Sequence, residues 1–219
     1  MKFRNVLFAL VLAATGGRLE AAMPSDLSAT WAGSQIIPDN NANGVTFHFS
    51  LNTANPVWIT NVTVDLIIAG GWDGDLYAYL SHGSGFSVLL NRIGSSTNNP
   101  GGSGASGMNV ELADNYLPDI HTAAGNPATG NFAPDGRFIN PFTVLDTDPR
   151  TAMLNSFNNL DPNGGWTLFL ADVSPLAVST LQGWTVTVAT AVPEPGPAAL
   201  LGLGLAIAGA AKLIGKARC

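Results

Sequence analysis

Apolar residues occupy every second position through much of the chain, which is the pattern of β-strands with one buried face. The two longest runs cover residues 45–51 and 62–68. Five-residue runs follow at residues 76–80, 86–90, 108–112, 166–170 and 184–188. Clusters of Gly, Asn, Pro and Asp separate the runs and are suited to turns. The pattern predicts seven or more short strands and an all-β fold, a jelly-roll-like antiparallel β-sandwich.

The same alternation predicts which side chains form the core. Leu66 and Leu168 occupy inward positions in two of the runs, so both should point into one core between two sheets. Helical periodicity is weak throughout, and the best candidate for a helix is residues 150–157, with Pro149 at the first helical position. The Gly-, Ser- and Asn-rich segment 95–107 is expected to be a mobile loop within a single domain.

The N-terminal end has the composition of a targeting segment. Lys2 and Arg4 precede an apolar run at residues 6–14, which has the length of a signal-peptide core. Residues 1–22 are therefore predicted to be a signal-peptide helix that is removed on export.

The C-terminal end consists of three parts. Val192-Pro193-Glu194-Pro195 opens it and is too rich in proline for a helix or strand. The apolar stretch 198–211 would form a short transmembrane helix, and the basic tip contains Lys212, Lys216 and Arg218. A simple tail anchor that stays in the membrane is the alternative interpretation.

Found together, these three parts resemble the PEP-CTERM sorting signal, which would cover residues 192–219. The resemblance implies that a membrane protease-transpeptidase of the exosortase type recognises Pro-Glu-Pro and removes the tail, much as the hydrophobic tails of some lipid-anchor signals are removed. The implied partners are that enzyme and the export machinery. Cys219, the single cysteine, lies in this tail, so the processed protein would contain neither a thiol nor a disulfide.

Removing both ends changes the charge balance. Residues 23–191 contain three arginines and thirteen acidic residues, which gives a net charge of −10. Such a surface would repel phosphate backbones, so nucleic acid is not an expected partner. It is compatible with divalent cations.

Several strings along the strands are informative when they are taken in order. They are residues 59–64, Gly71-Trp72-Asp73-Gly74-Asp75-Leu76, Leu80-Ser81-His82, residues 160–168, Ala171-Asp172 and Leu181-Gln182-Gly183-Trp184. Together they resemble a P/Homo B domain, the β-sandwich appended to subtilisin-like proteases and proprotein convertases. The similarity spans about residues 36–189, but residues 94–159 match nothing in that family. It implies a module that stabilises or contacts proteins rather than one that performs chemistry.

Catalytic motifs are scarce. His82-Gly83-Ser84-Gly85 suggests a serine hydrolase, but the chain contains neither Gly-x-Ser-x-Gly nor His-Glu-x-x-His. The glycines and Ser84 more simply form a turn between two strands. The histidines are scattered, and His48 is predicted to face solvent. We therefore assign no catalytic residue.

One acidic cluster suggests a ligand. Asp73 and Asp75 lie in the turn that enters one strand, and Asp172 ends another. If the turn and the strand end meet at one rim of the sandwich, their carboxylates and nearby carbonyls would suit Ca²⁺, the one cofactor that the sequence suggests. We favour the simpler interpretation, in which Asp-Gly is a preferred turn and Asp172 is a strand-ending residue.

These observations predict a non-catalytic module at residues 23–191 that is exported to the cell envelope or extracellular matrix. It would be anchored in the membrane until the tail is processed. The expected ligands are an extracellular polysaccharide or a surface protein. The alternative function is an extracellular hydrolase of polysaccharide or peptide, with catalytic carboxylates in residues 94–159.

Overall fold

Nine β-strands make up most of residues 26–54 and 56–192, the part of the chain that this computed structural model describes. The strands are β1 (Asp26–Ile36), β2 (Asn41–Leu51), β3 (Trp58–Gly70), β4 (Leu76–His82), β5 (Gly85–Asn91), β6 (Met108–Leu112), β7 (Ala128–Phe132), β8 (Gly164–Asp172) and β9 (Ser179–Ala191). Within those ranges the only helical segments are three short 3-10 turns, Asp73–Asp75, Ile120–Thr122 and Leu154–Phe157. All seven predicted strand runs lie in strands, and the all-β prediction is confirmed.

The strands form two sheets. Sheet A has the strand order β1-β9-β3-β6-β7, and sheet B has the order β2-β8-β4-β5. Neighbouring strands are antiparallel except β6 and β7, which are parallel. The expectation of a purely antiparallel sandwich is therefore wrong at this edge of sheet A, where a long connection returns the chain in the same direction.

The core lies between the inner faces of the two sheets. Leu66 on β3 and Leu168 on β8 are both fully buried, as predicted. Trp166 on β8 and Trp184 on β9 are the largest buried side chains. The ring of Phe49 on β2 stacks on Trp184 with a centroid distance of 4.4 Å, so this pair joins the two sheets directly.

Two strands were not predicted. In β1, Leu27, Ala29 and Trp31 do alternate with polar residues, and the strand pairs with β9 along the edge of sheet A. In β7 only five residues are extended, and Gly130 in the middle interrupts any apolar pattern. The first strand could have been found from its periodicity, whereas the second depends on pairing with β6.

The predicted helix at residues 150–157 is wrong, because only the short turn Leu154–Phe157 is present. The carboxylate of Asp114 accepts hydrogen bonds from the backbone N–H groups of Leu154 and Asn155, at 2.9 and 2.7 Å. Since a distant side chain takes these donors, the local bonds of an α-helix do not form.

The segment 95–107, which was expected to be mobile, is tied to the body of the protein. The Ser103 N–H donates to the Ile93 carbonyl at 2.6 Å, and the Ser103 carbonyl accepts from the Gly74 N–H at 2.9 Å. These bonds fix the segment across the turn between β3 and β4.

No helix in residues 26–54 or 56–192 is long and apolar enough to cross a membrane. The predicted signal-peptide helix and the predicted C-terminal transmembrane helix fall outside the described residues.

The buried leucines provide a test of the core. Replacing Leu66 or Leu168 by Ala should lower the free energy of unfolding by about 2–5 kcal/mol, because each substitution leaves a cavity between the sheets. Urea unfolding measures the loss. Ile67→Ala is the matched control, since Ile67 is the next residue of β3 and is 40% exposed. Equal losses for Leu66→Ala and Ile67→Ala would contradict this arrangement of the core.

Candidate functional site

Asp73 and Asp75 lie on the single 3-10 turn that connects β3 to β4, and both are buried. The turn is buried because the segment 101–103 crosses it closely. A Cβ atom on Gly74 would lie 2.5 Å from the backbone nitrogen of Ser103, so only glycine fits at the crossing. The Asp-Gly sequence thus forms a turn, as expected, but under another segment rather than at the surface.

Arg92, which follows β5, bonds to both segments of this crossing. Its Nε donates to the Gly74 carbonyl at 2.9 Å, and its Nη2 donates to the Gly101 carbonyl at 3.2 Å. The same Nη2 lies 3.9 Å from Oδ1 of Asp75. Both of these hydrogen bonds of the guanidinium go to backbone carbonyls, and its contact with Asp75 is a long ion pair.

Asp75 and Asp172 are brought to one rim of the sandwich by the pairing of β4 with β8. Leu76 lies opposite Asp172, and the N–H of Val173 donates to the Asp75 carbonyl at 2.8 Å. Oδ2 of each carboxylate is buried and has no hydrogen bond of good geometry. Two carboxylates so poorly compensated are costly to keep ionised together.

The pKa values of these carboxyl groups reflect that cost. Burial is the main reason that the pKa of Asp172 rises from 3.8 to about 6, and the nearby charges of Asp75 and Asp39 raise it further. Burial also raises the pKa of Asp75, which the Ser174 hydroxyl and Arg92 partly oppose. The Asp172 carboxyl therefore keeps its proton to a higher pH than an exposed aspartic acid does.

Asp73 is a separate case. Burial raises its pKa to about 7, and the backbone N–H of Gly107 opposes the rise. Burial and this hydrogen bond account for the shift in the Asp73 pKa. Both of its oxygens are buried without a well-formed hydrogen bond.

The predicted calcium ligands therefore converge only in part. Asp75 and Asp172 meet at one rim, and the charge of Asp39, which lies in a Pro-Asp-Asn sequence, raises the pKa of both. In the described part of the chain, no group of three or more His, Cys, Asp or Glu residues is arranged to hold a metal ion. Ca²⁺ binding by Asp73, Asp75 and Asp172 stays a prediction without a complete ligand shell.

Carboxyl groups with raised pKa values also serve as acids and bases in enzymes. Here Asp73 is 1% exposed and Asp172 is fully buried. A substrate cannot reach either carboxyl group in this conformation. These two residues therefore do not provide the accessible pair that glycoside hydrolysis requires.

His82 has a structural environment. Its Nδ1 lies 2.9 Å from the Gly165 carbonyl oxygen, and its Nε2 lies 2.7 Å from the Asp161 carbonyl oxygen. The imidazole stacks on Trp166 with a centroid distance of 4.2 Å and an interplanar angle of 2°. Both ring nitrogens are thus engaged by backbone, while Ser84 is exposed in the β4–β5 turn, as the turn interpretation predicted.

His121 belongs to a buried cluster of ions that the sequence did not reveal. Its Nδ1 lies 2.7 Å from Oδ2 of Asp135, and its Nε2 lies 2.8 Å from the Ser95 carbonyl oxygen. Burial lowers the pKa of His121, but the hydrogen bond and charge of Asp135 outweigh it, so the pKa is raised overall. Two acceptors facing the two nitrogens favour the doubly protonated ring.

Arginines complete the same cluster. Arg137 Nη1 donates to Oδ2 of Asp119 at 2.8 Å and to Oδ1 of Asp135 at 3.3 Å. Arg150 Nη2 donates to the Pro134 carbonyl at 2.6 Å. These bonds cross-link the connection between β7 and β8 internally and tie it to the connection between β6 and β7.

The remaining predicted residues belong to the sorting tail. Val192 is the last described residue and is 37% exposed, directly after β9. Pro193, Glu194, Pro195, Lys212, Lys216 and Arg218 lie outside the described residues. His48 faces solvent on β2, as predicted, and its Nδ1 lies 3.0 Å from the Thr167 hydroxyl.

No protein-family model matches the chain, and no curated protein matches it. Among solved structures, the chain is similar to a serine protease of Aeromonas sobria in complex with the chaperone ORF2, with 14% identity and a TM-score of 0.43. A second structure, of the Aeromonas sobria serine protease itself, has 13% identity and a TM-score of 0.41. These alignments cover 78% and 76% of this chain but only 27% of each protease chain. Similarity at this level identifies no family.

The raised pKa values of Asp73 and Asp172 predict a particular pH dependence of stability. The folded protein binds protons on these groups more tightly than the unfolded chain, whose carboxyl pKa is near 3.8. Their contribution is therefore most favourable below pH 4 and is lost as the pH rises through about 6 for Asp172 and about 7 for Asp73. Asp172→Asn should reduce the loss of unfolding free energy between about pH 4 and pH 6. Denaturant unfolding at a series of pH values measures this loss.

Asp26→Asn, at an exposed strand end, is the control and should keep the wild-type decline. Identical pH profiles for wild type and Asp172→Asn would contradict the assignment. Repeating the series with CaCl₂ at matched ionic strength separates the proton from the metal. A rise in melting temperature in the wild type but not in Asp75→Asn would favour Ca²⁺, and equal rises would exclude Asp75 as a ligand.

Proposed function

We propose that residues 23–191 form an exported, non-catalytic β-sandwich module of jelly-roll, P/Homo B-like type, which an exosortase-type enzyme separates from its C-terminal tail. One observation carries the proposal. Strand β9 ends at Ala191, and the Val192-Pro193-Glu194-Pro195 motif begins with the next residue. The motif thus follows the folded domain without an intervening linker.

The position of β9 explains why processing would not harm the fold. The strand lies between β1 and β3 in sheet A, and Ala191 pairs with Trp58 at the end of that ladder. Cleavage beyond Val192 leaves in place every strand and every buried core residue of the part of the chain that the structure describes. Processing would then change the protein's location without changing its structure.

A non-catalytic role is supported by what the reactive groups contact. Both nitrogens of His82 face backbone carbonyls, and those of His121 face a carbonyl and a buried carboxylate. The Arg92 guanidinium is bonded to two carbonyls of the β3–β4 crossing. These three side chains therefore stabilise the fold, which agrees with a module that binds a ligand rather than one that performs chemistry.

The proposal includes a route and a destination. The basic N-terminal end would direct export, and the apolar tail with its basic tip would hold the precursor in the membrane. Removal of the tail would release the module to the cell envelope or extracellular matrix. The expected partners are the export machinery, the sorting enzyme and the module's own ligand.

Replacing Pro193, Glu194 and Pro195 together by Ala should prevent release, because the sorting enzyme loses its recognition sequence. The variant should stay in the membrane fraction with its full C-terminal mass, whereas the released wild type should lack Cys219. Intact mass spectrometry of cell fractions measures both. Pro197→Ala, in the same tail but outside the motif, should be processed like the wild type. Released wild-type protein that still contains Cys219 would refute the proposal.

A further inference from the structure

The outer face of sheet B has an unusual composition for a solvent-facing surface. The inner positions of β4 and β8 pack into the core, so the intervening residues face outward. On β4 these are Tyr77 and Tyr79, and on β8 they include Phe169. All three are half-buried, and the sheet supports them from below.

The rings form one continuous strip. Tyr79 stacks on Phe169 with a centroid distance of 4.8 Å and an interplanar angle of 15°. Phe86 on β5 lies 5.1 Å from Tyr79, and Tyr77 lies 6.3 Å from Phe169. Four aromatic side chains from three adjacent strands are therefore in contact, which exceeds the scattered apolar residues of an ordinary surface.

A fifth ring joins the strip from outside the sheet. The backbone N–H of Gly136 donates to the Val88 carbonyl at 2.9 Å, which places the connection between β7 and β8 along the free edge of β5. This contact brings Phe138 beside Phe86, with a centroid distance of 5.2 Å. Phe138 is 65% exposed, so its ring extends the strip into solvent. We define the aromatic strip as Tyr77, Tyr79, Phe86, Phe138 and Phe169.

Hydroxyl and imidazole groups border the strip. Cross-strand pairing places Ser81 opposite Phe86 and Thr167 opposite Ser81, and it places Thr46 opposite Phe169. His48 contacts the Thr167 hydroxyl at the far side of the face. The surface thus offers aromatic rings, of which Phe138 is the most exposed, next to hydrogen-bond donors and acceptors.

The face is also electrically neutral. The outward residues of β2, β4, β5 and β8 include no Asp, Glu, Lys or Arg, although residues 23–191 have a net charge of −10. A phosphorylated or acidic ligand would find no cation here, and a basic ligand would find no anion. The charge of this face therefore matches an uncharged ligand.

We infer that the aromatic strip binds a neutral polysaccharide. A sugar ring has one apolar C–H face, which packs on an aromatic ring, and a rim of hydroxyl groups, which pair with hydroxyl and imidazole side chains. The strip extends across several rings, so it fits a chain of sugars rather than a single one.

This inference deepens the proposed function by naming the ligand class of the exported module, and it rests on that function for its biological setting. Its test does not depend on sorting. Failure of the polysaccharide to bind would leave tail processing intact, and failure of processing would leave binding measurable in the purified protein.

The experiment is affinity electrophoresis of the full chain in native gels that contain a neutral glucan, hydroxyethylcellulose, or an acidic polymer, alginate. The neutral glucan should retard the wild type, and alginate should not. Phe138→Ala and Tyr79→Ala should each weaken binding about tenfold, which corresponds to ~1.4 kcal/mol. Phe142→Ala is the matched control, because Phe142 is 63% exposed on the same connection but is not part of the strip.

Melting temperatures check that each variant is folded, and Phe138→Ala should keep the wild-type value because its side chain is mostly exposed. Three results would overturn the inference. The first is that the neutral glucan does not retard the wild type. The second is that Phe142→Ala weakens glucan binding as much as Phe138→Ala does. The third is that the wild type self-associates and Phe138→Ala abolishes this self-association. The last result would assign the strip to a second copy of the chain.

Discussion

The buried ion cluster around Asp135 links the connection between β6 and β7 to the connection between β7 and β8. His121 and Arg137 both contact the Asp135 carboxylate, and Arg137 also contacts Asp119. Burying charges is costly unless each is paired and hydrogen-bonded. Each charged group here has an oppositely charged partner, although Nε of Arg137 has no hydrogen bond. With no disulfide available in residues 26–54 and 56–192, this cluster provides the cross-links that a long connection needs. Phe138 follows Arg137 directly, so the same cluster positions the fifth ring of the aromatic strip.

The acidic rim shows the opposite use of buried charge. Asp75 and Asp172 have like charges, an incomplete set of hydrogen bonds and one long contact to Arg92. Their raised pKa values express that imbalance. The acidic rim therefore destabilises the fold more at neutral pH than in mild acid, whereas the charges of the ion cluster have oppositely charged partners. The two clusters lie on segments that meet at Arg92 and Ser95, since Ser95 accepts from His121 and its N–H donates to Arg92.

The sequence predicted what depends on strand periodicity and missed what depends on distant contacts. Alternation located seven strands and placed Leu66 and Leu168 in the core, because period two leaves only one face to bury. It failed for residues 150–157, where Asp114 captures the backbone donors of a would-be helix. Nothing in the sequence marked Asp39 or Asp135 as part of a charged cluster, since each lies among residues that are typical of turns. Tyr77 and Tyr79 did alternate outward, but their partners Phe86, Phe138 and Phe169 are assembled only by the fold.

The central claim is that residues 94–159 are an integral, fixed part of the sandwich rather than an appended loop. Native-state hydrogen exchange tests it most directly, because amides bonded inside a cooperative unit exchange only when that unit opens. We expect the N–H groups of Ser103, Asp135 and Gly136, which donate to the carbonyls of Ile93, Leu89 and Val88, to exchange nearly as slowly as those of β3 and β9. Exchange of these three amides as fast as that of exposed loop residues would contradict it.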